Sequence, residues 1–324
     1  TVLRQRAGQT AAGGTVTTSK SLPILLGRPP GDMAGGGPTV VVDTARRAEE
    51  AGFAGVVISD HVVMGARTDR YPWGSFKQAP DCPWPEPLTV LTAVAAVTTT
   101  LRLCTGILIA PLRPATLLAK TAATLDVLSH GRLELGVGTG WQQEEFDAQG
   151  LDAAARGQLL TDTIGACRTL WGASPATFSS ASVSFADIWC HPRPVSPGGP
   201  PVLFSGTLTP RNVRRIVELG DGWIPIMGER PPGVADGVAV LTKALADAGR
   251  DPAALRVRAH LPVIRADSGD PDLAASLAGV PELVAAGATD VVTPLGAFVR
   301  DEADLPAWFA QARRSLREHE ASPA

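Results

Sequence analysis

The feature that most constrains this chain is an alternation. Eight short apolar runs stand at Leu22–Gly27, Gly55–Ser59, Leu101–Ile109, Arg132–Val137, Pro201–Ser205, Gly222–Met227, Arg256–Ile264 and Thr289–Pro294. Most are continuously apolar, as parallel strands covered on both faces require. Helical patterns lie between them. In Thr39–Ala51, Val41, Ala45 and Ala48 share one face, Arg46, Arg47, Glu49 and Glu50 turn away, and Gly52 supplies the stop. Thr116–Leu128, Ala153–Trp171, Pro210–Leu219, Val234–Ala248, Asp272–Ala286 and Glu302–Glu320 read the same way. Eight strands alternating with helices predict a single (β/α)8 TIM barrel over residues 21–324, with an open doubly wound sheet as the alternative.

Composition narrows the function classes. Hydrophobic residues make up 44% of the 324, enough for a sizeable core, and the net charge of −3 lacks the basic excess of a nucleic-acid binder. No apolar run approaches the roughly 20 residues of a membrane helix. Cys82, Cys104, Cys167 and Cys190 have no CxxC spacing and read as separate reduced thiols, which points to a cytoplasmic protein. Thr1 to about Lys20 is rich in Thr, Ala and Gly, shows no periodicity and lacks the apolar stretch of a signal peptide. Residues 1–20 are therefore expected to form a disordered tail outside the fold.

The C-terminal ends of barrel strands are where such enzymes place their working residues. Asp60-His61 falls at the end of the second strand. There an imidazole can exchange a proton near neutral pH and a carboxylate can orient it, although a capping aspartate beside a solvated histidine fits equally. Gly136-Val137-Gly138-Thr139-Gly140-Trp141 follows the fourth strand and leads into a helix; close glycines there let backbone amides reach a phosphate, or simply form a tight turn. The motif is neither GxGxxG nor a P-loop. Ser205-Gly206-Thr207 leaves the fifth strand ahead of Pro210-Arg211, a second candidate anion site or an ordinary helix cap. Gly106-Ile107 interrupts the third strand, where a glycine marks a bulge, a ligand's close approach or plain packing.

Two connections are unusually long. Asp60–Pro87 carries Tyr71, Trp73, Phe76 and Trp84, which form either the wall of an apolar substrate pocket or a cluster packing the loop down. Ser174–Pro200 reads as a small hairpin with a proline-rich return. There is no HxH or HExxH metal pattern and no GxSxG elbow, so metal hydrolysis and serine catalysis are disfavoured.

The ordered set Glu49-Glu50-Ala51-Gly52-Phe53, Ser59-Asp60-His61, Leu101-Arg102-Leu103 with Thr105-Gly106, Ala123-Thr124-Leu125-Asp126, Ser129-His130-Gly131-Arg132-Leu133, Gly136 to Trp141, His191-Pro192-Arg193-Pro194 and Leu219-Gly220-Asp221-Gly222-Trp223 resembles the bacterial luciferase-like oxidoreductases. More narrowly it resembles their coenzyme F420-dependent branch. The resemblance implies a (β/α)8 barrel that binds FMN or the deazaflavin F420 at its mouth and is usually a homodimer. Asp60 and His61 match the position beside the reactive ring. Gly106-Ile107 matches a bulge with a non-proline cis peptide behind it, and Gly138-Thr139-Gly140 and Ser205-Gly206-Thr207 match the phosphate segments. Sugar-phosphate dehydrogenases of this family carry a glutamate where Trp141 stands and a tryptophan where Gly65 stands, which argues against that activity. The strand Leu22–Gly27 also departs from the family's usual opening.

The expected function is hydride transfer between F420 and a small organic substrate, an enone, carbonyl or alcohol. His61 would relay the proton, and Asp60 would orient the imidazole or bond to the cofactor. Tyr71, Trp73 and Trp84 would close over the substrate, and Trp141 would pack beside the cofactor ring or simply staple its helix. Only Lys20, Lys77, Lys120 and Lys243 are lysines among the 29 basic residues, and Gly, Pro and Ala abound. That bias points to a GC-rich bacterium such as an actinobacterium, where F420 is common. The first alternative is an FMN-dependent monooxygenase fed by a separate reductase; the second is a flavin-binding protein without turnover. Arg67, Arg70 and Arg230 are candidates for the acidic tail of F420.

Overall fold

The computed structural model describes residues 24–28, 38–76 and 78–321; the expected tail, residues 1–20, lies outside them. Eight parallel strands close a barrel in strictly sequential order: β1 (Ile24–Arg28), β2 (Gly55–Ile58), β3 (Arg102–Ile109), β4 (Leu133–Gly138), β5 (Val202–Ser205), β6 (Gly222–Ile224), β7 (Arg256–His260) and β8 (Asp290–Pro294). Closure is made by β1, which pairs Ile24 to Val291 on one side and Leu25 to Gly55 on the other. The outer helices are α1 (Pro38–Ala51), α2 (Pro87–Val97), α3 (Ala115–Leu128), α4 (Gln143–Ala148), α5 (Arg156–Gly172), α6 (Pro210–Leu219), α7 (Pro231–Asp247), α8 (Leu273–Leu277), α9 (Val280–Ala285), α10 (Leu295–Phe298) and α11 (Leu305–Ala321).

The continuous apolar strands serve two cores. Leu26, Val56, Ile58, Leu103 and Val291 join the large layer between sheet and helices, while their neighbours Leu25, Val57, Cys104 and Val292 form a separate cluster. Alternate side chains of a strand point to opposite faces, so the second set fills the barrel interior. Beside it lies an ion network. Arg102 Nη2 is 2.8 Å from Asp290 Oδ1, Arg256 Nη2 is 2.8 Å from Glu134 Oε1, and Arg258 pairs with the other Glu134 oxygen. Burial alone would raise the Glu134 carboxyl, but Arg258, Arg256 and Arg102 outweigh it and hold the group at about 2. Toward the strand ends the residues at the barrel mouth become small, as Ser59, Gly106, Gly138 and Ser205, and the filling stops there.

Several boundaries differ from the sequence reading. Helix α2 stands where periodicity marks none, because Pro87-Leu-Thr-Val-Leu-Thr-Ala-Val-Ala-Ala-Val has almost no polar face to reveal a 3.6-residue period. The segment Asp272–Ala286 is two short helices, α8 and α9, with Gly279 between them. Strand β7 ends at His260, and Ile264–Arg265 pairs instead with Pro271–Asp272 in a small ribbon. The hairpin expected within Ser174–Pro200 is present as Ala176–Ser179 against Ser184–Ile188.

Candidate active site

The C-terminal mouth of the barrel holds a cavity of about 630 Å³, within the range of small-molecule sites. Asp60, His61, Gly106, Ile107, Gly138, Thr139, Gly140 and Trp141 line it. So do Ser205, Gly206 and Thr207 on one side and Tyr71, Trp73, Phe76 and Trp84 on the other. Residues separated by as much as 147 positions in sequence thus meet because parallel strands deliver all their C-terminal ends to one face.

On β3 the Gly106–Ile107 peptide is cis, and the pairing with β4 shifts register between Thr105 and Leu108. A Cβ on Gly138 would lie 2.8 Å from Ile107 Cδ1, so that glycine makes room for the bulged residue.

Asp60 and His61 serve different partners. The Asp60 carboxylate accepts the Ile109 N–H at 2.8 Å and both terminal nitrogens of Arg113, at 2.7 and 3.0 Å. Arg113 Nη2 also donates to Glu86 at 2.9 Å. Asp60 therefore fastens the bulged end of β3 and does not orient the imidazole. That partner is Glu145 on α4, whose Oε2 lies 2.9 Å from His61 Nδ1 and whose Oε1 accepts the Val62 N–H at 2.9 Å. Rings enclose His61: Trp84 at 4.4 Å between centroids, Phe76 at 5.7 Å and Trp141 at 6.1 Å.

The approach of α4 depends on two glycines. Gly140 turns the chain at φ +72°, and Gly65 donates its N–H to Gln142 Oε1 while its carbonyl accepts from Gln142 Nε2. A Cβ on Gly65 would lie 2.6 Å from Glu144 Cγ. Glu144 thus occupies the ground on which a larger residue at position 65 would have to stand.

At the other end of the cavity Thr209 caps α6, accepting the Asn212 N–H at 3.3 Å. Asn212 Nδ2 holds the preceding turn by donating to Thr207 O at 3.1 Å. Arg156, Arg211 and Arg215 line this end. Arg215 is buried, and among the described residues its guanidinium donates only to neutral oxygens: Thr161 Oγ1, Asn212 Oδ1 and Gly157 O. Burial, then Arg211 and Arg214, push its pKa down. None of the three lining arginines pairs with a carboxylate among the described residues. Arg67, Arg70 and Arg230 do not line the cavity, and Arg67 is paired with Asp69.

Sequence reasoning placed Arg211 at the second candidate anion site but missed Glu145, Arg113, Arg156 and Arg215, because the groups each of these meets in the site lie tens of residues away in the chain. It also left His260 unassigned. Alternation in Arg256-Val-Arg258-Ala-His260 could have found it, since charged residues every second position in a buried strand mark an inward face. His260 lines the cavity, and its Nδ1 is buried without a partner among the described residues, as are Ser59 Oγ and Arg258 Nε and Nη1. Burial, with Arg258 adding repulsion, pushes the His260 imidazole down to about 4.

These features fit a flat polar-edged ring carrying a phosphate: unpaired arginines beside a capped helix N-terminus, orphaned polar atoms on the floor and an aromatic wall. No group of three His, Cys, Asp or Glu side chains that could hold a metal ion occurs among the described residues.

Known proteins are similar to this chain in sequence and in fold. An uncharacterized protein of Mycobacterium tuberculosis is 34% identical over 211 residues, 64% of this chain and 74% of its own length. The F420-dependent glucose-6-phosphate dehydrogenase of Amycolatopsis mediterranei is 29% identical over 66% of this chain and 63% of its own. In fold, the chain resembles an F420-dependent secondary alcohol dehydrogenase at 16% identity and TM-score 0.71, covering 92% of this chain and 99% of that one. It resembles a long-chain alkane monooxygenase at 13% identity and TM-score 0.73, covering 94% and 93%. The family described as luciferase-like monooxygenase matches residues 22–323, and the chain belongs to it.

Proposed function

We propose that this protein is an oxidoreductase that holds coenzyme F420 in the barrel mouth and transfers hydride to or from a small neutral substrate, an enone, carbonyl or alcohol. The observation that carries the reading is Arg215: beside Arg156 and Arg211, it is a buried cation whose partners among the described residues are all neutral, which favours a bound anion. A cofactor phosphate would be such an anion, with Thr207 and the α6 N-terminus as further donors. Bound there, the deazaflavin supplies a two-electron hydride centre. Ile107 would back the ring, and His61 would take a proton from the substrate hydroxyl in one direction and return it in the other. Tyr71, Trp73, Phe76, Trp84 and Trp141 exclude water and present apolar surface to the substrate.

The choice of F420 over FMN rests on the arginine- and glycine-rich composition and on the F420-dependent relative. The FMN-dependent monooxygenase is the second reading, favoured by a 32% identity over 117 residues to a pyrimidine monooxygenase of Klebsiella pneumoniae. It would use the same phosphate site.

A parallel fluorescence titration of the protein with F420 and FMN tests the choice. Micromolar F420 binding with much weaker FMN, lowered at least about tenfold by Arg215→Gln, is expected. Preference for FMN moves the protein to the monooxygenase reading, and binding of neither overturns both.

A further inference from the structure

Glu145 is placed so that its two oxygens meet two different nitrogens. It is fully buried, and each of its oxygens faces one nitrogen: Oε1 the Val62 N–H and Oε2 the His61 Nδ1, both at 2.9 Å. The Val62 amide is a donor and cannot be anything else. As a carboxylate Glu145 is an acceptor only, and the imidazole nitrogen opposite Oε2 then carries its hydrogen. Around the ring the other neighbours are Trp84, Phe76 and Trp141, none of which competes for Nδ1. Nε2 has no hydrogen-bond partner among the described residues and is not sealed from the cavity that His61 lines.

We propose that Glu145 is a positioning residue that locks His61 in the Nδ1–H tautomer and leaves the Nε2 lone pair facing the substrate. The imidazole then meets a substrate hydroxyl as an acceptor. Proton transfer moves that hydrogen onto Nε2, and the buried carboxylate balances the imidazolium that results. The consequence for turnover rests on the hydride-transfer reading; the tautomer itself does not.

Glu145→Gln separates charge and tautomer from shape. The glutamine side chain has one acceptor oxygen, and the fixed Val62 N–H claims it. Its NH2 then faces His61 Nδ1, which must become the acceptor, so the hydrogen moves to Nε2. Long-range ¹H–¹⁵N spectra of histidine-labelled protein without cofactor read this directly, with His61→Gln assigning the signal. The wild type is expected to show a protonated Nδ1 and bare Nε2, and Glu145→Gln the reverse. Turnover in Glu145→Gln is expected to fall at least about 100-fold in kcat, with cofactor affinity within about twofold of wild type.

A wild-type Nε2–H tautomer, or a Glu145→Gln protein with unchanged tautomer, overturns the proposal. Should Glu145→Gln fail to fold, the wild-type spectrum alone decides it. If the tautomers behave as expected while no alcohol, enone or carbonyl is turned over with F420 or FMN, the hydride-transfer reading fails and the tautomer assignment stands.

Discussion

The Asp60 carboxylate is 1% exposed and paired with Arg113, which is itself 13% exposed. Removing one partner of such a pair leaves a buried charge with too few hydrogen bonds. Arg113→Met is therefore expected to destabilise the fold by about 3 kcal/mol, measured by urea unfolding. An unchanged midpoint would mean that Asp60 does not depend on the guanidinium. His260 acts on stability in another way. Its folded value near 4 lies below the ordinary 6.5 of an unfolded imidazole, so between those values the unfolded chain binds the extra proton. Stability is then intact above 6.5 and declines as the pH falls toward 4, by at most about 1.4 kcal/mol per unit from this group. His260→Gln should flatten that part of the pH–stability curve; a curve parallel to wild type would sink the assignment.

Elements carry the effects of these residues to one another. Glu86 caps α2 by accepting the Thr89 N–H at 2.7 Å, and its other oxygen accepts from Arg113 at 2.9 Å. The long loop Asp60–Pro87 is thereby tied, through Glu86, Arg113 and Asp60, to the bulged end of β3. Glu86→Ala should cost about 1 kcal/mol by loss of the cap, visible as a lower urea midpoint, and full retention of the wild-type midpoint would refute the cap's contribution. The sequence marked this loop as functional through its length and its aromatics, both local properties. It did not show that α4, beginning only at Gln143, closes on the loop through Gln142 and Glu145. Hydrogen bonds over such a separation leave no periodic trace in the chain.

At the scale of the whole molecule, the barrel is sealed where β1 meets β8, and the outer layer is closed by Phe53 stacked on Trp308 at 5.9 Å between centroids. A cofactor that binds the closed barrel and not the unfolded chain must stabilise it by mass action. At one hundred times its dissociation constant, F420 should add about 2.7 kcal/mol, seen as a rise in melting temperature. FMN at the same concentration should give a smaller rise. Equal rises would remove the basis for preferring the deazaflavin, and no rise with either would remove the cofactor site.

Alternating apolar runs and amphipathic helices determined the barrel, because strand and helix periods are written locally and eight repeats leave few ways to cover both faces of the sheet. Local motifs likewise marked Asp60-His61, Gly106-Ile107, Gly138-Thr139-Gly140 and Ser205-Gly206-Thr207, since strand ends and glycine turns are properties of neighbouring residues. Tertiary structure alone decided which charge meets which. Asp60 pairs with Arg113, His61 with Glu145, and Arg215 with no carboxylate among the described residues. Electrostatic and hydrogen-bond partners are set by distance in space, and barrel closure brings together side chains whose order along the chain says nothing of their separation.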